Sequence, residues 1–238
     1  RQMCIRDRVW TATSKAVLRA HGQVFYSPVV EAVARIPTQD LRMSAEAAKV
    51  RLSALGFHDE DAGLRHIEAL TSGTSRAVRI QTALMPAMLA WLADGPSPDH
   101  GLLAFRQVSE ALGESPWYLR ALRDEGAMAQ RLAVVLSTSR YAVDVLTRAP
   151  ETVQVLVDDD LTPLSREDLA RQMNAVARRH HDVEEAVGAI RAVRRRELFR
   201  ILVADILNVT GIRRIGQALT DLTGATICLL YTSPSPRD

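Results

Sequence analysis

The chain has 238 residues, 47% of them hydrophobic and 24% charged, a composition of folded globular protein rather than of a disordered chain. With 30 basic residues against 28 acidic ones the formal net charge is +2, which excludes a strongly polycationic nucleic-acid protein while leaving room for a local basic patch. Aromatic residues at 5%, with 12 Gly and 10 Pro, argue against an all-β barrel or sandwich.

The first eight residues (RQMCIRDR) and residues 228–238 (CLLYTSPSPRD) read as non-native, adapter-like ends, and both cysteines, Cys4 and Cys228, fall within them. Two cysteines so placed give neither a disulfide framework nor a zinc site. Between the ends the pattern is helical. Ser27-Pro28 opens a helix that runs through Ile36. Ser44 caps the next, which Gly56 ends. Asp59 starts a short amphipathic helix bearing Leu64, Ile67 and Leu70, stopped by Gly73.

A longer helix is expected over Ser75–Leu92, with Val78, Leu84, Met85, Met88, Leu89 and Leu92 on its apolar face and a kink at Pro86. The run Ala83–Ala93 is 11 residues long and too short to cross a bilayer. After the break at Asp94–Pro98, the residues Leu102, Leu103, Phe105, Val108 and Leu112 form another face. Ser115-Pro116 opens a helix with Trp117, Tyr118, Leu119 and Leu122, and helices are expected near 125–137, 139–148 and 150–157. An acidic connection, Asp158–Asp160, precedes a helix capped by Ser165 with Asp168 and running to about His180. Asp182 caps a long helix over Val183–Leu207, with Val187, Ile190, Val193, Leu198, Ile201, Leu202 and Ile206 available for burial. Gly211 punctuates, and Ile212–Thr226 is the last helix. No run shows sustained period-two alternation, so the expected fold is all-α, a multi-helix bundle or elongated helical array without a catalytic sheet.

Chemistry is sparse. The sequence holds no Walker A loop, dinucleotide fingerprint, His-Glu-x-x-His or nucleophile elbow. Asp158, Asp159 and Asp160 offer hard oxygen donors suited to magnesium, but their place between helices favours solvated acids and caps. His180, His181, Asp182, Glu184 and Glu185 form a polar helix junction, because adjacent helical histidines point about 100° apart and do not readily share a metal. Arg191, Arg194, Arg195, Arg196 and Arg200 make a basic stripe that could meet phosphate or RNA; pairing with Glu184, Glu185 and Glu197 is the commoner use. Trp91, Trp117 and Tyr118 suit a core better than a base-stacking platform. No catalytic, cofactor-binding or metal-ligating residue is assigned.

Several phrases nevertheless share one resemblance. LGFHDEDAGLRHIEALTSG (Leu55–Gly73), GLLAFRQVSEALGESPWYLRALRDEG (Gly101–Gly126), LSTSRYAVDVLTRAPETVQVL (Leu136–Leu156), AIRAVRRRELFRILVADILNV (Ala189–Val209) and ALTDLTGAT (Ala218–Thr226) occur in order. FYSPVVEAVARIP (Phe25–Pro37) fits the same series. Together they resemble the glutamine synthetase adenylyltransferase family, especially its actinobacterial members, from about Val9 to Ile227.

The resemblance implies a bifunctional, cytoplasmic enzyme of nitrogen control. One nucleotidyltransferase core transfers AMP from ATP to a tyrosine of glutamine synthetase, and the other removes it by phosphorolysis. A PII-type signal protein and glutamine set the balance. ATP and magnesium belong to the parent's cores, each of which carries a Gly-Ser-Asp-x-Asp-like motif. Here Asp158 and Asp160 have the Asp-x-Asp spacing, but Leu156-Val157 precedes them.

The implied layout is residues 9–72 as the helical tail of the N-terminal adenylyl-removing domain, 73–157 as a central connector, and 158–227 as helices leading into the C-terminal adenylyltransferase core. Such a fragment is expected to be catalytically inactive, to partner glutamine synthetase, the PII-type protein and its own flanking domains, and to avoid membranes. A freestanding helical protein-interaction module is the alternative, and a nucleic-acid binder using the Arg191–Arg200 stripe ranks third.

Overall fold

The caps and apolar faces translate into helices throughout the computed structural model, which describes residues 45–232 apart from Glu114 and His181, with side chains as far as Leu229. The expected Ser27–Ile36 helix, the Ser44 cap, Cys4, residues 1–8 and residues 233–238 lie outside the described residues. In chain order the helices are α1 (Ala45–Ala54), α2 (Glu60–Thr71), α3 (Arg76–Ala93), α4 (Pro98–Leu112), α5 (Pro116–Asp124), α6 (Gly126–Thr138) and α7 (Arg140–Arg148). A 3-10 helix (Pro150–Val157) follows, then α8 (Arg166–Ala177), α9 (Val183–Ile206) and α10 (Ile212–Thr232). No strand occurs among the described residues.

Starts and stops follow local chemistry. Asp59, Ser75, Ser139, Ser165 and Asp182 each accept a backbone N–H from the first turn of the helix they precede. Such a cap contributes about 1 kcal/mol. At the end of α1, Gly56 has φ +90° and donates to Ser53 O, while Phe57 N–H reaches back to Leu52 O. This is a Schellman stop, and it needs a residue that tolerates the left-handed region. The stop of α9 is built in the same way around Asn208, at φ 51°, with Val209 N–H donating to Ala204 O at 2.8 Å. The turn-off thus falls at an asparagine, and Gly211 punctuates before α10, its carbonyl accepting the Ile215 N–H at 3.2 Å. Asn is among the few non-glycine residues that take this conformation readily.

The α3 helix is a single helix that contains Pro86, as expected. Two boundaries differ from expectation. Ala177 ends α8, ahead of His180. The last helix does not stop at Thr226 but continues to Thr232, because Leu229 extends the buried line of Ala218, Leu222 and Ala225 at helical spacing.

Two apolar cores result. The larger takes side chains from α1 to α7 and the 3-10 helix, with Met88, Leu92, Leu102, Phe105, Tyr118 and Leu132 fully enclosed. Contact between α4 and α6 is close because Gly101 faces Ser137: a Cβ at Gly101 would lie 3.1 Å from Ser137 Cα and 2.7 Å from a Leu92 methyl. The smaller core joins α8, α9 and α10 through Leu169, Met173, Ile190, Ile201, Ile215 and Leu222.

Helix α9 belongs to both cores. Phe199 and Val203 enter the larger one, whereas Ile190, Ile201 and Ala204 enter the smaller. This double duty explains why the expected burial list for α9 was incomplete. A helix covered on two sides has no single apolar stripe, so Phe199 and Val203 do not stand out by periodicity.

Candidate functional site

The most heavily constrained polar region is the passage between the two cores, residues 158–164. Leu161 is buried in the larger core and Leu164 packs on the smaller one, so the chain crosses within four residues. Its backbone is held by arginines from three helices. Arg131 of α6 donates through one Nη1 to Leu156 O at 2.8 Å and Asp158 O at 2.9 Å. Arg200 of α9 donates through Nη1 to Asp160 O at 2.9 Å and through Nη2 to Asp158 Oδ2 at 2.5 Å. Arg214 of α10 reaches Pro163 O at 3.4 Å.

Glu197, one turn before Arg200, completes the arrangement. Its side chain is only 3% exposed. Oε1 accepts the Leu164 N–H at 2.7 Å, and Oε2 lies 3.3 Å from Arg200 Nε. The Nε–H is not aimed along a hydrogen bond, so this second contact is an ion pair alone. Burial pushes the Glu197 carboxyl above its ordinary range, against the opposing pull of the Leu164 N–H and Arg200.

Two of the three acids in the run are therefore engaged by structure. Asp158 pairs with Arg200, with Arg196 4.0 Å away. Asp160 folds back on Thr162 N–H at 2.8 Å, and hydrogen bonding with Thr162 holds its carboxyl below the usual range. Asp159 stays exposed. Among the described residues no group of three or more His, Cys, Asp or Glu is placed to hold a metal ion.

The other singled-out residues sort as follows. His180 Nδ1 lies 3.2 Å from Glu185 Oε2 and Asp182 caps α9, a polar junction as expected. Arg191, Arg194, Arg195 and Arg196 are exposed, but Arg200 leaves the stripe for the interior. Tyr118 is fully buried, shares a hydrogen bond with Ser109 at 3.2 Å, and stands edge-on to Trp117. Burial raises its phenol well above the usual range. Trp91 is buried as well, so these rings do not form a stacking platform. Arg131 and Arg214 escaped the sequence reading because an arginine that binds distant backbone carbonyls has no partner visible in the sequence.

A family model for glutamate-ammonia ligase adenylyltransferase matches residues 129–233. The bifunctional glutamine synthetase adenylyltransferase/adenylyl-removing enzyme of Cutibacterium acnes is 97% identical over 228 residues, covering 96% of this chain and 23% of that protein. The Streptomyces coelicolor enzyme of the same name is 47% identical over 236 residues, covering 92% and 24%. That of Mycolicibacterium smegmatis is 43% identical over 212 residues, covering 87% and 21%. No solved structure matches. The chain spans about a quarter of the length of these curated relatives. Similarity this extensive along the chain, on an all-helical scaffold, means that it belongs to the bifunctional glutamine synthetase adenylyltransferase/adenylyl-removing family.

Proposed function

We propose that these residues form a helical connector in an enzyme that adenylylates and deadenylylates glutamine synthetase, and that they carry neither reaction by themselves. Residues 73–157 act as the central connector and 158–227 as the helices leading into an adenylyltransferase core. The observation that carries this reading is the joint at 158–164, where two helical cores are joined through α9 and the part-buried contacts of Arg131, Arg200 and Glu197. Such a joint suits a part that fixes distance and orientation between larger bodies.

Nucleotidyl transfer with magnesium needs paired carboxylates to hold the ions against phosphate charge. The residues described here do not fit a magnesium–ATP site, since Asp158 and Asp160 are turned to Arg200 and Thr162. A second support is α10, whose exposed Ile212, Leu219 and Ile227 share one face. That face suits contact with further protein.

The test is transfer of radiolabelled AMP to glutamine synthetase, and its phosphorolytic release. The isolated chain is expected to do neither, while the full-length Cutibacterium acnes relative does both. In that full-length protein, replacing the residue matching Arg200 by Ala should leave transfer measurable but blunt its opposite responses to glutamine and a PII-type protein. Label transfer by the isolated chain would overturn the reading.

A further inference from the structure

The first half of α9 turns one face to the outside. Gly188, Arg191, Ala192 and Arg195 follow i, i+3, i+4, i+7 spacing, share that face, and are all exposed. Arg194, also exposed, stands beside them. The opposite side of the helix carries Ile190 and Val193 into the smaller core.

The acids expected to pair with these arginines are used elsewhere. Glu185 lies 3.2 Å from His180, and Glu197 serves Leu164 and Arg200. Glu184 sits two full turns before Arg191, beyond the reach of an ion pair. Arg196 has Asp158 4.0 Å away, and Arg200 turns inward to the same carboxylate. Among the described residues, Arg191, Arg194 and Arg195 stand in no ion pair. Each instead has another of the three at three- or four-residue spacing, where like charges destabilise a helix.

Gly188 is a second, independent observation. Glycine weakens a helix interior, and this one sits in the second turn of a 24-residue helix. Its φ is not in the left-handed region, and a Cβ added there would meet nothing within 4 Å. Neither its own conformation nor its described neighbours require a glycine. What Gly188 and Ala192 do allow is the close approach of another backbone along this face.

The two observations define the visitor. Phe199, the one aromatic residue of α9, is fully buried, so the face has no ring on which a base could stack. A second helix fits, with its backbone over Gly188 and Ala192 and its carboxylates, at i, i+4 spacing, meeting the arginines alongside. We infer that the outer face of α9 is a docking surface for an acidic α-helix of a protein partner, held by charge at Arg191, Arg194 and Arg195 and admitted at close range by Gly188 and Ala192. The inference does not depend on the connector reading.

The experiment is a titration of the ¹⁵N-labelled 238-residue chain with a blocked, alanine-based helical peptide carrying four glutamates at i, i+4 spacing on one face. The Arg191, Ala192 and Arg195 amide resonances are expected to shift saturably, with a Kd on the order of 0.1 mM at low salt. Arg191→Ala with Arg195→Ala should weaken the peptide about tenfold and flatten its salt dependence. Arg140→Ala with Arg148→Ala removes the same charge from exposed positions of α7 and should change the affinity less than about twofold.

Gly188→Leu should weaken the peptide at least about tenfold by holding the second helix away. Because the added side chain starts into open space, this variant should unfold no earlier than the parent, and its thermal midpoint separates blocked docking from loss of fold. Absence of saturable shifts, equal weakening by the two arginine pairs, unchanged affinity in Gly188→Leu, or tighter binding of a uridine octanucleotide than of the peptide would each overturn the proposal.

Discussion

Replacing Glu197 by Ala removes one member of a buried charge pair and leaves two groups stranded. Arg200, with a side chain only 10% exposed, keeps Asp158 but loses its neighbour on α9. The Leu164 N–H loses its acceptor. Breaking a buried pair from one side costs about 3–5 kcal/mol, because the remaining charge stays out of water. For a domain of this size that is roughly 6–20 °C in thermal midpoint. Deleting both partners should cost less than the sum of the two single deletions, and a double-mutant cycle with Arg200→Ala reads that coupling directly.

The joint also makes a prediction about cooperativity. Trp91 and Trp117 both sit in or against the larger core, and among the described residues no tryptophan lies in the smaller one. With Trp10 changed to Phe, fluorescence reports the larger core, while far-UV circular dichroism reports helices of both. In the parent the two urea transitions should coincide, and in Glu197→Ala they should separate, with ellipticity lost first. A variant within about 1 kcal/mol of the parent, or one whose two transitions still coincide, would refute the view that Glu197 locks the cores together.

Three further outcomes are expected. Glu197→Gln keeps an acceptor for Leu164 but cannot ionise. Since burial raises the folded-state carboxyl, the parent should lose stability relative to this variant as pH rises from the unfolded carboxylate range through the raised folded value, a trend that urea denaturation at several pH values checks. Gly101→Ala should destabilise by about 1–3 kcal/mol, the crowding against Ser137 outweighing the better helix propensity, whereas Gly188→Ala, with nothing within 4 Å of its Cβ, should stabilise by roughly 0.5–1 kcal/mol; paired thermal melts settle both signs. His66 is held below 6.5 by burial first and by Arg106 next. The unfolded chain therefore takes up this proton first as pH falls, stability declines below about pH 6.5, and an NMR titration midpoint at or above that value would contradict the packing around α2.

Much of the fold was legible because helix ends are written locally. Asp59, Ser75, Ser165 and Asp182 cap helices where their residue type and position indicate. The joint was not legible, since its partners lie far apart in sequence. Arg131 with Asp158, Glu197 with Leu164 and Arg200 with Asp160 are separated by 27, 33 and 40 positions. From the sequence, Arg200 reads as one more member of an exposed basic run, and only tertiary packing shows that it faces inward. The pairing of Glu197 with Arg200 at three-residue spacing was readable, but its burial was not.

Four of the contacts that hold residues 156–163 fall on main-chain oxygens: Leu156, Asp158, Asp160 and Pro163. Main-chain oxygens are the same for every amino acid. The passage is therefore permissive about spelling and strict about length. Exchanging Asp159 or Thr162 leaves each oxygen where its arginine waits, whereas removing one residue would shift every oxygen after it and turn α8 by about 100° against the smaller core.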